Sequence, residues 1–402
     1  MAMAEETAAT VEWNLKDAVE HRNPDIDPVY YDFRDWLMNY GFGYGPSSLG
    51  PDIELVMLMR FYTPEDCRNI MMMGRNDFFT DVAFAAKKGC TEEEAHETLM
   101  DLAHRANLYH EKRDGVDYYH TIPAAHGIYE FHGGEFEPGW VQGLYGTLGG
   151  GMLAQVYDAG VPFYRSVPCD TKVVHGEVPA EDDIFERLKD HRRFAVCNCQ
   201  CLESSREYMG IKNCDHSLPI CIQTDNMADF YLDDINAGLP ADKPYAREIS
   251  YEECVELLKG SVKNGFVLQT TFAEKTNEVI CSCGVCHCGI LQAFKMFPDG
   301  TAAPNISHYN LVHDPETCIK CGACAKRCPM QAITMDEETG YPVVDNTCVA
   351  CGQCAMVCPK DARWLERKPE DQIVPLAENT WESYNIMEAY RRREQKLYDP
   401  AK

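Results

Sequence analysis

The sequence has no stretch of about 20 mostly apolar residues of the kind that crosses a bilayer. Its most apolar long run, Leu144 to Tyr164, is interrupted by Gln155, Asp158 and five glycines. The first residues, Met-Ala-Met-Ala-Glu-Glu-Thr, carry no basic n-region, apolar h-region or twin arginine. A cytoplasmic protein without membrane insertion is expected. Basic residues are scarce: 37 Lys and Arg stand against 64 Asp and Glu, a net charge of −27 over 402 residues. Such a surface repels phosphate backbones and anionic headgroups, which speaks against nucleic acid and for a basic protein partner. No Ser/His/Asp constellation or paired-carboxylate motif stands out. Disorder throughout is excluded by 45% hydrophobic and 25% charged residues.

What is abundant is cysteine, at 21 residues. Disulfide frameworks belong to small secreted domains, and this chain has room for two to four domains at roughly 150 residues each. Close clusters of reduced cysteines therefore read as metal ligands.

The pattern along the chain is that of an α+β, multidomain protein. Residues 1–51 read as an extended arm with a short helix near Asp32–Asn39, broken by Pro24, Pro28, Pro46 and Pro51. Residues 52–135 read as helices followed by a hairpin, a winged-helix-like front. Thr63-Pro64 and Thr91-Glu92-Glu93-Glu94 mark helix starts, and Asp114-Gly115 marks the turn. The candidate recognition helix carries Glu92, Glu93, Glu94, Glu97 and Asp101, the wrong charge for a major groove. Residues 136–195 form a Gly-rich then α/β connector ending in an acidic helix over 181–192. Residues 196–310 are the cysteine-rich middle, with a helix around Tyr251–Asn264, and residues 311–366 hold eight more cysteines. The tail, 367–402, reads as charged and helical from Thr380 to about Lys396.

Cys318, Cys321, Cys324 and Cys328 follow the spacing C-x2-C-x2-C-x3-C, with Pro329 next. Cys348, Cys351, Cys354 and Cys358 repeat it before Pro359, each position 30 residues on (348 − 318), which marks an internal duplication. Three thiolates two residues apart on a tight loop wrap one cubane, and the fourth starts a helix pointing to the other cluster. The spacing thus assigns Cys318, Cys321, Cys324 and Cys358 to one [4Fe–4S] cluster, and Cys348, Cys351, Cys354 and Cys328 to a second. Small residues beside them (Gly322, Ala323, Gly352, Ala355) let backbone amides approach the sulfurs. These residues resemble the bacterial two-cluster ferredoxin domain, which implies a pseudo-symmetric α+β sandwich and single-electron transfer.

An upstream block is less regular: Cys197, Cys199, Cys201, Cys214 and Cys221, then Cys281, Cys283, Cys286 and Cys288. Thiolates this crowded repel one another unless cations neutralise them. One or two further [4Fe–4S] clusters are expected, with zinc as the competing occupant. His216 and His287 read as bystanders that could become ligands. With this block, residues 55–365 resemble a family of multi-cluster iron–sulfur proteins of anaerobic bacteria. The likeness rests on Gly115 to Glu130, Val196-Cys-Asn-Cys-Gln-Cys, Gly210 to Ile222, Ile280 to Leu291 and the ferredoxin repeats. Leu202 stands where that family usually has arginine, and Gly284 and His287 stand where its later segment is often richer in cysteine. The resemblance implies an electron conduit inside a hetero-oligomeric redox complex.

Weaker signals read as structure. The run Gly143-x2-Gly146-x2-Gly149-Gly150-Gly151 lacks a strand–turn–helix context for a phosphate loop. Met71, Met72 and Met73 read as packing, and Cys67, Cys90, Cys169 and Cys254 as buried thiols. The leading expectation is an iron–sulfur electron-transfer subunit of an anaerobic oxidoreductase, partnered by a flavoprotein or metal oxidoreductase. Two alternatives stand beside it: a reductase with an open-site cluster in the upstream block, and a redox-sensing winged-helix regulator.

Overall fold

The computed structural model describes residues 20–38, 40–41, 44–47, 50–133, 141, 159–208, 221–274 and 278–394. The glycine run at 143–151, Cys214 and His216 lie outside the described residues. Local chemistry sets the first elements. Asp27 accepts a hydrogen bond from the Val29 N–H, and Pro28 opens helix α1 (Pro28–Leu37). Its Tyr31, Phe33 and Leu37 are buried, so part of the expected arm belongs to the core. Arg34 is wholly buried and held by Glu54 and Asp35, each at 2.7 Å. Helix α2 (Leu55–Phe61) leads into α3 (Pro64–Met73), where Thr63 and Asp66 cap each other's backbone reciprocally. Helix α4 (Asp81–Lys88) packs on α5 (Glu92–His104), which has the same reciprocal cap from Thr91 and Glu94. As periodicity predicts, α5 buries Ala95, Leu99, Leu102 and Ala103 and leaves its five acids outside. Strands β1 (Tyr109–Arg113) and β2 (Val116–His120) close a hairpin on Asp114 and Gly115, whose φ angles of 50° and 82° are both left-handed.

A six-stranded antiparallel sheet forms the middle of the molecule. Strand β3 (Tyr164–Ser166) precedes a segment that differs from expectation. The helix expected over 181–192 is α-helical only at Ile184–Arg187, between two tighter turns. Its leading turn is drawn inward because Asp182 is fully buried against Arg165 and Tyr309. Strand β4 (Phe194–Cys197), helix α6 (Gln200–Tyr208), β5 (Cys221–Thr224), β6 (Ala246–Ile249), helix α7 (Tyr251–Asn264), β7 (Val267–Thr271), β8 (Val279–Cys283) and helix α8 (Gly289–Met296) follow. The sheet order is β3-β7-β8-β5-β4-β6. Its two faces differ in chemistry because side chains alternate along each strand. Phe194, Val196, Ile222, Leu268 and Ile280 form one apolar face, covered by Cys254, Leu258 and Val262 of α7. The other face carries Cys197, Cys221, Cys281 and Cys283.

Strand β9 (Tyr309–His313) begins the last segment. It continues through α9 (Ala323–Arg327), β10 (Ile333–Met335), β11 (Pro342–Val344), α10 (Gln353–Met356) and β12 (Arg363–Arg367). Strands β9 and β12 pair antiparallel, as do β10 and β11. The final helix, α11 (Thr380–Arg393), is not a solvated tail. It buries Trp381, Tyr384 and Met387, stacks Trp381 on His120 at 4.2 Å, and joins Glu388 to Arg75 at 2.7 Å. Among the described residues no helix is long and apolar enough to cross a membrane.

Candidate metal centres

The upstream cysteines meet because three strands share a register. Cys197 on β4 faces Cys221 on β5, which faces Cys281 on β8. With a side-chain period of two, Cys283 lies on the same face as Cys281. Cys201 and Cys288 arrive from the start of α6 and the N-cap of α8. The thiols then run in hydrogen-bonding contact, Cys197–Cys221–Cys281–Cys283–Cys288–Cys201–Cys199. Cys286 stands just outside this chain, its sulfur 3.2 Å from Nδ1 of the buried His287.

Glutamines that sequence reading missed sit among these sulfurs. Gln223 Nε2 donates to Cys221 Sγ at 3.0 Å and to Cys197 Sγ at 3.7 Å. It lies two residues after Cys221 on a strand, a same-face signal that was available in the sequence. Gln269 Oε1 accepts from Cys288 Sγ at 3.8 Å, while its Nε2 is buried without a partner among the described residues. Tyr245 shares a hydrogen bond with Cys197 and donates to the Glu130 carbonyl at 2.8 Å.

The electrostatics fit a bound soft cation. Burial pushes the Cys197 thiol well above its ordinary range, and contact with Cys221 pushes Cys281 up. Hydrogen bonds from Cys199 and Cys197 pull Cys201 and Cys221 well below it. Neighbouring His126 is pushed down to about 4 by burial, so it brings no positive charge near neutral pH. A dense sulfur set of this kind is the donor chemistry of iron–sulfur or zinc sites.

In the C-terminal segment Cys318, Cys321, Cys324 and Cys358 line one cavity, together with Lys320, Lys360 and Arg363. Cys328, Cys348 and Cys354 interact with one another, and Cys351 with Cys348 and Cys354. The structure therefore brings each set of three together with the fourth cysteine of the opposite repeat. The backbone repeats too. Left-handed φ angles recur at Lys320 and Ala350, Gly322 and Gly352, and Gln331 and Asp361. Peptide N–H groups reach sulfur at matching places: Ala332 to Cys328 at 3.3 Å and Ala362 to Cys358 at 3.2 Å. Such N–H···S contacts stabilise anionic sulfur.

The two quartets differ in exposure. Cys321 lies at the surface, whereas its counterpart Cys351 is buried; Cys324 and Cys354 are both buried. The second quartet faces the body of the molecule. Cys169 N–H donates to the Cys351 carbonyl at 3.0 Å, so this thiol, expected to be an isolated one, lies against the site. Gln353 Nε2 donates to Phe266 O at 2.7 Å and Val262 O at 3.2 Å. The Phe266 ring lies 6.1 Å from that of His287, between Cys286 and Cys288. Cys67 and Cys254 are buried as expected, their thiols pushed up to about 12 by burial, and Cys90 is half-buried.

This duplicated, sulfur-lined C-terminal segment is of the class of two-cluster iron–sulfur carriers. Residues 312–363 match the family model of the 4Fe-4S dicluster domain. The match covers this segment alone. No curated protein and no solved structure matches the chain.

Proposed function

We propose that the chain is an electron-transfer subunit of an anaerobic, cytoplasmic oxidoreductase complex, relaying single electrons through three or four [4Fe–4S] clusters. The observation that carries this reading is the graded exposure of its sulfur sites: an upstream block of buried and half-buried thiols, a second quartet with Cys351 and Cys354 buried, and an outer quartet open at Cys321. Bound [4Fe–4S] clusters supply reversible one-electron chemistry. Cys318, Cys321, Cys324 and Cys358 would hold the outer cluster, and Cys348, Cys351, Cys354 and Cys328 the inner one. The chain of seven upstream thiols, with Cys286 and Cys214 as further candidates, would hold the rest. The protein's own part is to fix these sulfurs, exclude water and supply N–H donors. Lys320 and Lys360 flank the outer site, so this edge suits a redox partner with a locally acidic docking face. The exposed acids of α5 argue against a DNA-reading role.

Iron and acid-labile sulfide per chain, with low-temperature EPR of the reduced anaerobic protein, tests the reading. About 12 to 16 irons per chain supports it in full, and about 8 would confine clusters to residues 312–363 and leave zinc or free thiols upstream. Fewer than about 4 irons after reconstitution would overturn it.

A further inference from the structure

Outside the sulfur sites, the front helices and the hairpin gather a second set of metal-binding side chains. Asp81 is the first residue of α4, His96 lies within α5, and Asp117 stands on β2. Three elements thus bring two carboxylates and an imidazole to one point. One ligand atom of each lies within 4.8 Å of the other two. His96 Nδ1 is 3.2 Å from Asp81 Oδ2. Nitrogen and oxygen donors about 2.0–2.2 Å from a common ion stand about 3.0–3.5 Å apart when adjacent and about 4.2 Å apart when opposite. The three groups therefore close on one ion with small side-chain adjustments.

The surroundings are those of a ligand set, because ligating side chains are usually fixed by a further layer of hydrogen bonds. The buried Tyr119 hydroxyl lies 3.4 Å from His96 Nδ1 and also hydrogen-bonds Asp81. His110 Nε2 is 3.0 Å from Asp117 Oδ1, and its Nδ1 is 2.9 Å from Asp234 Oδ2, in the helical turn Phe230–Ile235. Asp81 Oδ1 is closed to solvent and has no hydrogen-bond partner among the described residues. Such an oxygen calls for a bound water or ion. Lys112 Nζ, 3.2 Å from Asp117 Oδ1, is the competing cation, but its side chain is largely exposed and free to swing into water.

We infer that Asp81, His96 and Asp117 form a site for a divalent cation of the manganese or zinc class, with Tyr119 and His110 as positioning residues. One imidazole and two carboxylates make a mixed nitrogen and oxygen set that suits these ions. Three protein ligands leave further positions to water, the pattern of an exchangeable site and not of a closed structural one. The ion would join α4, α5 and the hairpin at one point. No cysteine takes part, so the inference is independent of the electron-transfer reading.

The test is Mn²⁺ binding to the intact anaerobic chain, read as loss of the EPR signal of free aqueous Mn²⁺ at about 0.15 M salt. Manganese is the probe because its preference for oxygen and nitrogen keeps it off the thiolates. One saturable site per chain is expected, weakened at least about tenfold by His96→Ala and by Asp81→Asn. Glu93→Gln, on the exposed side of α5, removes one charge and should leave the affinity unchanged. Bound Mn²⁺ should also raise the Tm of the unaltered chain but not that of His96→Ala. His96 is exposed, so the fold is expected to survive its loss, and circular dichroism checks this. Absence of a saturable site, or unchanged affinity in either ligand variant, would overturn the inference. An equal loss in Glu93→Gln would do so too, since it would show only diffuse attraction to a chain of net −27. Iron measured on the same preparation keeps the two readings apart: iron without Mn²⁺ binding sinks this site alone, and Mn²⁺ binding without iron sinks the electron-transfer reading alone.

Discussion

The internal duplication supplies its own control for a glycine substitution. Gly322 and Gly352 occupy matching places, at φ 72° and 81°, so alanine at either must enter the left-handed region. That costs roughly 1–2 kcal/mol per residue. The surroundings differ. A Cβ at Gly322 meets nothing nearer than Met335 Sδ at 4.0 Å. At Gly352 it would stand 2.6 Å from Val173 Cγ2, 3.2 Å from Leu365 Cδ1 and 3.4 Å from Cys169 Sγ. The first of these distances is too short for any pair of carbons, and Val173 and Cys169 are buried. Overpacking of this kind adds roughly 1–3 kcal/mol. Gly322→Ala should therefore cost about 1–2 kcal/mol and Gly352→Ala about 2–5 kcal/mol. For a chain of this size 1 kcal/mol lowers Tm by about 1 °C. Anaerobic thermal unfolding, followed by circular dichroism and by visible absorbance, measures both variants on the same scale. Equal Tm shifts, or a larger shift for Gly322→Ala, would refute the packing argument.

Three further outcomes are expected. Cys358→Ala should remove the outer cluster and Cys328→Ala the inner one, each losing about four irons and a different EPR signal; loss of the same signal in both would reject the crossed ligation. Burial opposes ionisation of Asp182, but His308 and Arg165 outweigh it and lower its pKa from 3.8 to about 2. Its stabilising contribution is therefore complete above about pH 4 and disappears as the pH falls to about 2. Asp182→Asn should be less stable at pH 7, by about 3–5 kcal/mol for a broken buried pair, with a shallower fall in Tm between those two pH values than the unaltered chain; parallel Tm curves would contradict the assignment. Gln223→Leu removes an N–H donor to Cys221 and Cys197, so the midpoint potential of the upstream centre should become more negative; an unchanged potential in a redox titration would show that this amide does not tune it.

Much of the local architecture was legible because it is written in short-range chemistry. The Thr63 and Thr91 caps, the Asp114-Gly115 turn and helix α7 all rest on interactions within a few residues, and the structure has them where the sequence places them. The two-cluster domain was legible for the same reason, since C-x2-C-x2-C-x3-C fixes a loop and a helix start. Other features depend on contacts between distant residues and left no local mark. The tail helix reads as charged, yet Trp381 and Tyr384 find their partners His120 and Tyr40 far back in the chain. The segment at 181–192 reads as an acidic helix, but Asp182 is claimed by Arg165. The gathering of Cys197, Cys221 and Cys281 needs a strand register that no spacing rule encodes. Gln269 and Tyr245 became visible only once the sheet and the front helices were placed against each other.

The cysteine row across β4, β5 and β8 ties the assembly of the sheet to what it can hold. A slip of one residue in any of these strands turns its sulfur to the opposite side, into the hydrocarbon beneath α7. The same slip brings the neighbouring Val196, Ile222 or Ile280 to the thiol side, where an aliphatic side chain has no affinity for a cation. A misregistered chain would therefore fail to load, and a loaded one is locked in the correct pairing because dissociation of the ion must precede any shift. An inorganic ion held in this row would act as a proofreader of chain topology, and its loading and the registration of the strands would be one event.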